Sequence, residues 1–311
     1  VIFDPDVEDP IATYNSDLLY LGLDFAKVPN AYHSIVANAL GSTFCQCARS
    51  AMRSVELRYF LEGIYADTDT DYTWGKQFLG DDLNIERNDA LDVRAYLDKI
   101  KEQGKFEESI KGADLITINL GSNDVFSYPV ICAMNKLSEK IPALSMVSET
   151  FKKTGSIGTA LAGLFDVSNN VVTAAVVLAE LVANVEAACT IFENNYKAIL
   201  NYIYKVNPDA TVIAVGLYNP LKNTVISETS KLNVKPLAAT TLTRVNTFLS
   251  SLSLMYSNYK YVDVTDTDVY PINMSDPNAV DMFLLKVHPT IAGHAYMAEQ
   301  ILNALPDGMA A

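Results

Sequence analysis

Gly121 and Asn123 directly follow an apolar run of strand length, and their residue types suit the stabilisation of a developing negative charge. Residues 114–120 read Asp-Leu-Ile-Thr-Ile-Asn-Leu, and Gly121, Ser122, Asn123 and Asp124 follow. A glycine permits a tight turn that brings the backbone close to a ligand. The side-chain amide of Asn123 offers an N–H that can stabilise a developing oxyanion. Because an Asn-Asp pair is also common in ordinary turns, this motif gains meaning only from partners elsewhere in the chain.

A candidate proton acceptor lies near the other end of the chain. His288 precedes Pro289, whose ring is pre-set for the first turn of a helix, and apolar residues at helical spacing follow. The imidazole of His288 is therefore expected to project from a loop, where it can accept a proton. His294, one turn into the same helix, is expected to pack or cap locally.

A third segment has the composition of a backbone donor site. Residues 44–54 read Phe-Cys-Gln-Cys-Ala-Arg-Ser-Ala-Met-Arg-Ser, with Ala51 among small side chains just before a helical pattern. Small side chains let backbone N–H groups approach a substrate, as an oxyanion hole requires. On its own this segment carries little information.

The elements that would position these residues alternate along the chain. Apolar runs of strand length are separated by helical patterns, and strands that are apolar on both faces indicate a parallel sheet covered on both sides. In such sheets, ligands bind beyond the carboxyl ends of the strands. We therefore predict an α/β, doubly wound fold. The predicted strands are 18–23, 43–47, 114–120, 211–217 and 261–264, and the early helices are 32–40 and 55–62.

The chain is predicted to form one domain over residues 1–311, because neither an internal repeat nor a Gly/Ser-rich or Pro-rich linker divides it. A helix-rich insertion at about 134–204 is much longer than an ordinary crossover connection. It is expected to supply either extra core helices or a lid and acyl-binding wall. Residues 65–92 lack a clear period and are expected to form a surface loop near the same end of the sheet.

The most apolar stretch of this insertion, residues 171–188, resembles a membrane span in composition. It contains Glu180, Asn184 and Glu186, which a lipid-facing helix would have to desolvate at the bilayer centre. The sequence therefore predicts a buried or lid helix in place of a membrane span.

Composition excludes several other functions. The chain carries 23 Lys and Arg against 37 Asp and Glu, a net charge of −14 that opposes binding to nucleic acid. Three histidines and four scattered cysteines do not supply a structural zinc site, and Cys45 and Cys47 form only a C-x-C pair. No Gly-rich phosphate loop follows any predicted strand, which disfavours an unrelated flavodoxin-like binding protein. We expect neither a metal nor a cofactor.

Taken in order, these motifs resemble the SGNH or GDSL-type hydrolase family. The likeness is carried by Gly-Ser-Asn-Asp at 121–124, His-Pro-Thr-x-x-Gly-His at 288–294, the segment around Ala51 and Val-Gly-Leu-Tyr-Asn-Pro at 215–220. The resemblance implies a flavodoxin-like sheet and esterase or acylhydrolase chemistry with a serine nucleophile. It makes Asn123 the oxyanion donor, in the loop that Gly121 opens, and His288 the base. Ala51 takes the place of a glycine whose backbone N–H is a second donor.

Two positions depart from the family pattern. The best match to its Gly-Asp-Ser motif, residues 20–25, has Asp24 where the nucleophilic serine is expected. A carboxylate there cannot perform the usual Ser–His acyl transfer. The family's acid lies three residues before its histidine, where this chain has Leu285. Asp281 is the nearby carboxylate that could orient His288, and a backbone carbonyl could also take that third role.

The missing serine has two explanations, which the sequence leaves open. In the first, residues 18–23 are the first strand, the nucleophile has been lost, and the domain binds a carbohydrate or acyl ligand without turnover. In the second, the first strand and its serine lie upstream of Val1, consistent with a start without Met. The expected function is accordingly a serine esterase acting on O-acetyl or lipid-like esters, with the silent binder as the alternative.

Partners and location follow from the resemblance. The expected partner is a small-molecule ester, and the sequence is silent on the oligomeric state. The first residues contain no basic segment followed by an apolar stretch, so no signal peptide is visible in them. Bacterial enzymes of the family are often secreted, and we therefore expect an extracytoplasmic or secreted protein.

Overall fold

A computed structural model describes most of the chain. The described residues are 30–45, 47–48, 52–65, 97–98, 101–102, 105–154, 157–226, 230–274, 286–306 and 308–309. Asp24, Ala51 and Asp281 lie outside these ranges, as do the predicted strand at 18–23 and most of the predicted loop at 65–92.

The central sheet of the described chain has three parallel strands. They are β1 (Leu115–Ile118), β2 (Thr211–Val215) and β4 (Tyr259–Val262), in the order β1-β2-β4. Every residue of β2 is buried, as expected for a strand whose two faces are both covered. A separate parallel pair joins β3 (Thr224–Val225) to β5 (Ile272–Asn273).

Helices cover both faces of the sheet. On one face, α1 (Tyr32–Ala39) and the C-terminal α9 (Ile291–Asn303) pack on alternate residues of β2 and β4. On the other face lie α2 (Ser54–Glu62), α7 (Val171–Val206) and α8 (Lys235–Ser251). The prediction of an α/β, doubly wound fold is confirmed. A short α3 (Lys105–Lys111) precedes β1.

The insertion is helical, as the sequence predicts. It comprises α4 (Tyr128–Ser138), α5 (Pro142–Thr154), α6 (Ile157–Val167) and the first half of α7, which share a second apolar core. This core is distinct from the two that line the faces of the sheet.

Helix α7 connects the two parts of the molecule. It is 36 residues long, about 54 Å at the rise of an α-helix. Its second half is buried against the sheet, whereas Val171, Val172, Val176 and Val182 in its first half are exposed. By length and composition α7 could cross a membrane, and 28% of its most apolar 18-residue stretch is buried. The core helix of a soluble protein meets the same criterion, so this is weak evidence for a span.

Most predicted elements of the described chain are present, and one is wrong. Strands 114–120 and 211–217 appear as β1 and β2, and helices 32–40 and 55–62 appear as α1 and α2. The strand predicted at 261–264 begins two residues earlier.

The predicted strand at 43–47 is a loop at each of its described residues. There, the Phe44 ring stacks on His33 at 5.3 Å between centroids, and Cys45 Sγ lies 3.0 Å from Ser109 Oγ. A short apolar run meets the pattern of a strand, but a strand also needs a ladder partner.

Candidate functional site

The candidate site lies at the carboxyl edge of the sheet, where β1, β2 and β4 all end. Asn119 ties the first two ends together, because its Nδ2 donates to the carbonyl oxygens of Val215 and Gly216 at 3.4 and 3.3 Å. Beyond Asn119, the chain turns at Gly121 into the loop that carries Asn123. The strand ends therefore hold this loop in a fixed place.

Gly121 is required by the turn. Its φ is +122°, a conformation that side chains with a Cβ rarely adopt. A Cβ there would also come within 2.9 Å of Cε2 of Phe192, on α7. The turn leads into a π-helical segment, Asn123–Ser127, which continues directly into α4. The backbone at Gly121 thus uses the conformational freedom that a glycine permits.

The side chain of Asn123 faces the segment that precedes α2. Its Nδ2 donates to the carbonyl oxygen of Met52 at 3.2 Å, which orients the amide plane. The amide nitrogen carries a second N–H, the one that an oxyanion would accept. Met52 follows Ala51 in the sequence, and Ala51 itself lies outside the described residues.

Asp124 fastens the same two segments a second time. Its carboxyl oxygens accept the backbone N–H of Ser54 at 3.1 and 3.0 Å, and one of them also accepts the Ser54 hydroxyl. Ser54 in turn accepts a hydrogen bond from Nδ2 of Asn195, on α7, at 3.3 Å. All three side chains are at least 97% buried. Ser54 is the first residue of α2, so Asp124 also caps that helix.

Burial alters the titration of Asp124. Desolvation raises its pKa to about 7, against the opposing effects of the Ser54 hydrogen bonds and the charge of Arg53. The carboxyl group therefore gains or loses its proton near neutral pH.

A buried ion pair stabilises the start of α2. The guanidinium of Arg53 donates to the carboxylate of Glu56, with Nη2 to Oε1 at 2.6 Å, and both side chains are almost completely buried. The backbone N–H of Arg53 also donates to Glu56, and the Tyr65 hydroxyl bonds to both partners. The Arg53 guanidinium lies 4.4 Å from the centre of the Tyr128 ring. Removing either charge would leave the other unpaired in the interior, which would strongly destabilise the fold.

The loop that carries His288 is held mainly through its backbone. The Tyr218 hydroxyl, beyond the end of β2, donates to the carbonyl oxygen of Val287 at 3.1 Å. Beyond β4, Asp268 accepts the backbone N–H of Thr290 at 3.0 Å and the Thr290 hydroxyl at 2.8 Å. Val269 and Pro289 form an isolated antiparallel bridge. His288 itself is half-buried.

Thr290 and Gly293 then begin α9. The Thr290 hydroxyl accepts the N–H of Gly293 at 3.0 Å and so caps the helix. A Cβ at Gly293 would overlap the carbonyl oxygen of Asp268. A glycine is therefore needed for α9 to approach the loop after β4, which sets the position of His288.

Of the other two histidines, His294 packs in the interior and His33 is partly buried. His294 is 6% exposed, and its Nδ1 accepts the backbone N–H of Tyr32 at 3.4 Å. Burial lowers the pKa of His33 to about 4, so this ring stays neutral at ordinary pH. Of the three histidines, only His288 lies in a loop at the carboxyl edge of the sheet.

The sequence-based site is thus located only in part. Gly121 and Asn123 share one loop, and His288 lies in a second loop, tied to the ends of β2 and β4. Ala51, Asp24 and Asp281 are outside the described residues. The buried partners Ser54, Asp124 and Asn195 were not predicted. Asp124 stood in the quoted motif, but nothing in the sequence linked it to Asn195.

Comparison with known proteins bears on this arrangement. A family model described as GDSL-like Lipase/Acylhydrolase matches residues 68–301, well over half of the chain. The match includes Gly121, Asn123 and His288, and it begins after the segment at 44–54. No curated protein matches the chain.

Proposed function

Because the chain belongs to the family of GDSL-like lipases and acylhydrolases, we propose that it is a serine esterase that cleaves acyl esters. One observation supports this assignment above the others. The Asn123 amide is oriented by the Met52 carbonyl oxygen, in a loop clamped to the start of α2. A rigid amide donor beside a helix start is the preorganised arrangement that stabilises an oxyanion.

The proposed reaction has two acyl-transfer steps. A serine hydroxyl attacks the ester carbonyl carbon while the His288 imidazole accepts its proton. The carbonyl oxygen becomes an oxyanion, which accepts hydrogen bonds from Asn123 Nδ2 and from backbone N–H groups including that of Ala51. The intermediate expels the alcohol, which takes the proton from His288, and water then releases the acid by the same route. In this proposal, Asp281 or a backbone carbonyl orients His288.

The substrate class is a small ester with an acetyl or lipid-like acyl group. The helical insertion, whose apolar core adjoins the site through α7, is the proposed wall for the acyl chain. We also propose an extracytoplasmic or secreted location, because bacterial members of the family are often secreted. Fractionation of the source cells would test the location, with recovery in the cytosolic fraction counting against it.

A catalytically silent binder is the second candidate. It is favoured by Asp24, which stands where the nucleophilic serine is expected in residues 20–25. In this version the crevice at the sheet edge holds a carbohydrate or acyl ligand, and Asn123 binds a carbonyl or hydroxyl oxygen without turnover.

Covalent labelling separates the two candidates. The full-length protein, with any residues that precede Val1, would be treated with a fluorophosphonate, digested, and searched by mass spectrometry for the modified serine. The esterase proposal predicts one labelled serine, and labelling lost in His288→Ala because the base activates the nucleophile. Asn207→Ala is the control, since Asn207 bonds to the carbonyl oxygens of Ile110 and Ala113 near the amino end of β2 and its loss should leave labelling intact. A folded chain that takes no label would favour the silent binder.

A further inference from the structure

The two oxyanion segments are joined by a double clasp. We define the clasp as the contacts between Asn123 and Asp124 on one strand-end loop and Met52 and Ser54 on the other segment. Asn123 donates to Met52, and Asp124 accepts from Ser54, so the hydrogen bonds run in opposite directions. Consecutive residues on one side thus grip two residues on the other, which fixes both the separation and the relative rotation of the segments.

Asn195, on helix α7, determines the direction of the hydrogen bond between Ser54 and Asp124. Arg58 Nη1 donates to the side-chain oxygen of Asn195 at 3.1 Å, which turns the Asn195 amide nitrogen towards Ser54. Ser54 Oγ therefore accepts from Asn195 and must donate its own hydrogen to Asp124. Such a directed chain specifies one arrangement of the polar groups in a buried site, where an unpaired group is costly.

We propose that Asp124 is a positioning residue of the oxyanion hole. Through Ser54 it holds the Met52 carbonyl in place, and this carbonyl orients the amide of Asn123. Asp124 does not touch the substrate in this account. The proposal rests on the esterase function, but the geometry it invokes can be measured without turnover.

The kinetic test uses Asp124→Asn and Ser54→Ala. The asparagine keeps the size of the side chain but replaces one acceptor oxygen with a donor, which faces the Ser54 donors. We expect kcat for p-nitrophenyl acetate to fall roughly tenfold to a hundredfold, with KM within about threefold of the parent. The reason is that misplaced oxyanion donors stabilise the transition state less well and leave substrate binding unchanged. Ser54→Ala removes only the hydroxyl, so it should lower kcat less, and it carries the test should Asp124→Asn not fold.

The matched control lies at the opposite edge of the sheet. Asn207 Nδ2 donates to the carbonyl oxygens of Ile110 and Ala113 at 2.8 and 2.9 Å, a comparable polar tie near the amino end of β2. Asn207→Ala should lower stability and leave kcat unchanged. Equal losses of kcat in Asn207→Ala and the clasp variants would overturn the positioning role and indicate a general structural effect.

A second readout does not depend on activity. With asparagine labelled by nitrogen-15, the side-chain amide hydrogens of Asn123 can be followed by NMR in the parent, in Ser54→Ala and in Asn207→Ala. Positioning by the clasp predicts faster solvent exchange of these hydrogens in Ser54→Ala only. If the parent turns over no ester, the esterase function fails while this result still decides the positioning claim. Unchanged exchange in Ser54→Ala would overturn it.

Discussion

The two halves of the candidate site are built in different ways. The oxyanion side depends on buried side chains: Asp124, Ser54 and Asn195 are interlocked, and a buried Arg53–Glu56 pair lies beside them. The base side depends more on contacts to the backbone: the Tyr218 hydroxyl bonds to the Val287 carbonyl, Asp268 accepts the Thr290 N–H, and α9 approaches closely at Gly293. Changes of pH should therefore perturb mainly the first side, whereas steric crowding of the backbone should perturb mainly the second.

The apolar cores and the polar clasp also differ in what they contribute to the molecule. The three apolar cores tolerate small changes of volume at a cost set by burial. The clasp contains the Asp124 carboxyl group, whose pKa burial raises to about 7.

The largest effect is expected from crowding the base side with Gly293→Ala. The new Cβ would overlap the Asp268 carbonyl oxygen, which cannot withdraw without giving up the Thr290 N–H. We expect a loss of about 3 kcal/mol in the free energy of unfolding, at the upper end of overpacking effects. Urea denaturation would measure it. Gly112→Ala is the control, because its Cβ would meet only ordinary contact with the Glu108 carbonyl oxygen at 3.8 Å. Equal stability of the two variants would contradict the close approach.

The next effect is a pH dependence that belongs to the oxyanion side. The pKa of Asp124 is raised from 3.8 to about 7 in the fold, so the folded state holds a proton that the unfolded state releases. This contribution to stability is fully present below pH 3.8 and is lost as pH rises through 7, amounting to a few kcal/mol. The charged groups that act on Asp124 are Arg53, which lowers its pKa, and Glu56, which raises it; the Cys189 thiol of α7 also couples to it.

Asp124→Asn, which cannot ionise, tests that dependence. Unfolding free energies of parent and variant between pH 4 and pH 8 should converge or cross as pH rises, since only the parent loses stability through this group. Parallel profiles across that window would show that the carboxyl group does not titrate there.

A smaller effect is expected from Tyr218→Phe on the base side. The variant loses the hydroxyl that donates to the Val287 carbonyl oxygen, at a cost of about 1 kcal/mol in unfolding free energy. If the esterase function is right, kcat should also fall several-fold because His288 follows Val287. Tyr256→Phe removes a hydroxyl that bonds to Asn201 at an exposed position, and it should leave kcat unchanged. The same kcat loss in both variants would remove the link to His288.

The smallest effect comes from the outer end of the polar chain. Arg58 bonds both to Glu62, in a partly exposed pair, and to Asn195. Arg58→Gln should lower stability by about 1 kcal/mol and Glu62→Gln by roughly half of that or less, since exposed pairs contribute little. The difference between the two unfolding free energies isolates the Asn195 contact. No difference would mean that Arg58 does not order the clasp.

The fold was largely predictable because buried helices and strands have apolar residues at characteristic spacings in the sequence. Runs such as 211–217 are apolar on both faces, and helices such as α1 and α2 have apolar residues at helical spacing. The run at 43–47 shows the limit of this reasoning, since the pattern met the requirement for side chains but not for a ladder partner. The described residues of this segment, 43–45 and 47, are not part of a strand. A side-chain pattern alone does not show whether another strand lies alongside to pair with it.

The candidate residues were singled out by their place beside predicted elements. Asn123 directly follows a predicted strand, and His288 precedes a predicted helix. The clasp was not predicted, since Ser54 and Asp124 are 70 residues apart. Asn195, which bonds to Ser54, is 141 residues from it and meets it only after the insertion returns along α7. A buried polar contact of this kind leaves no period and no motif in a single sequence.

Ester turnover tests the central claim most directly. The rate of p-nitrophenyl acetate hydrolysis would be measured for the full-length protein, with any residues that precede Val1, and for its Asn123→Ala and His288→Ala variants, each checked for folding by circular dichroism. The account predicts turnover above buffer by the parent and a loss of roughly a hundredfold or more in kcat in each variant. A parent no faster than buffer, or variants as fast as the parent, would contradict it.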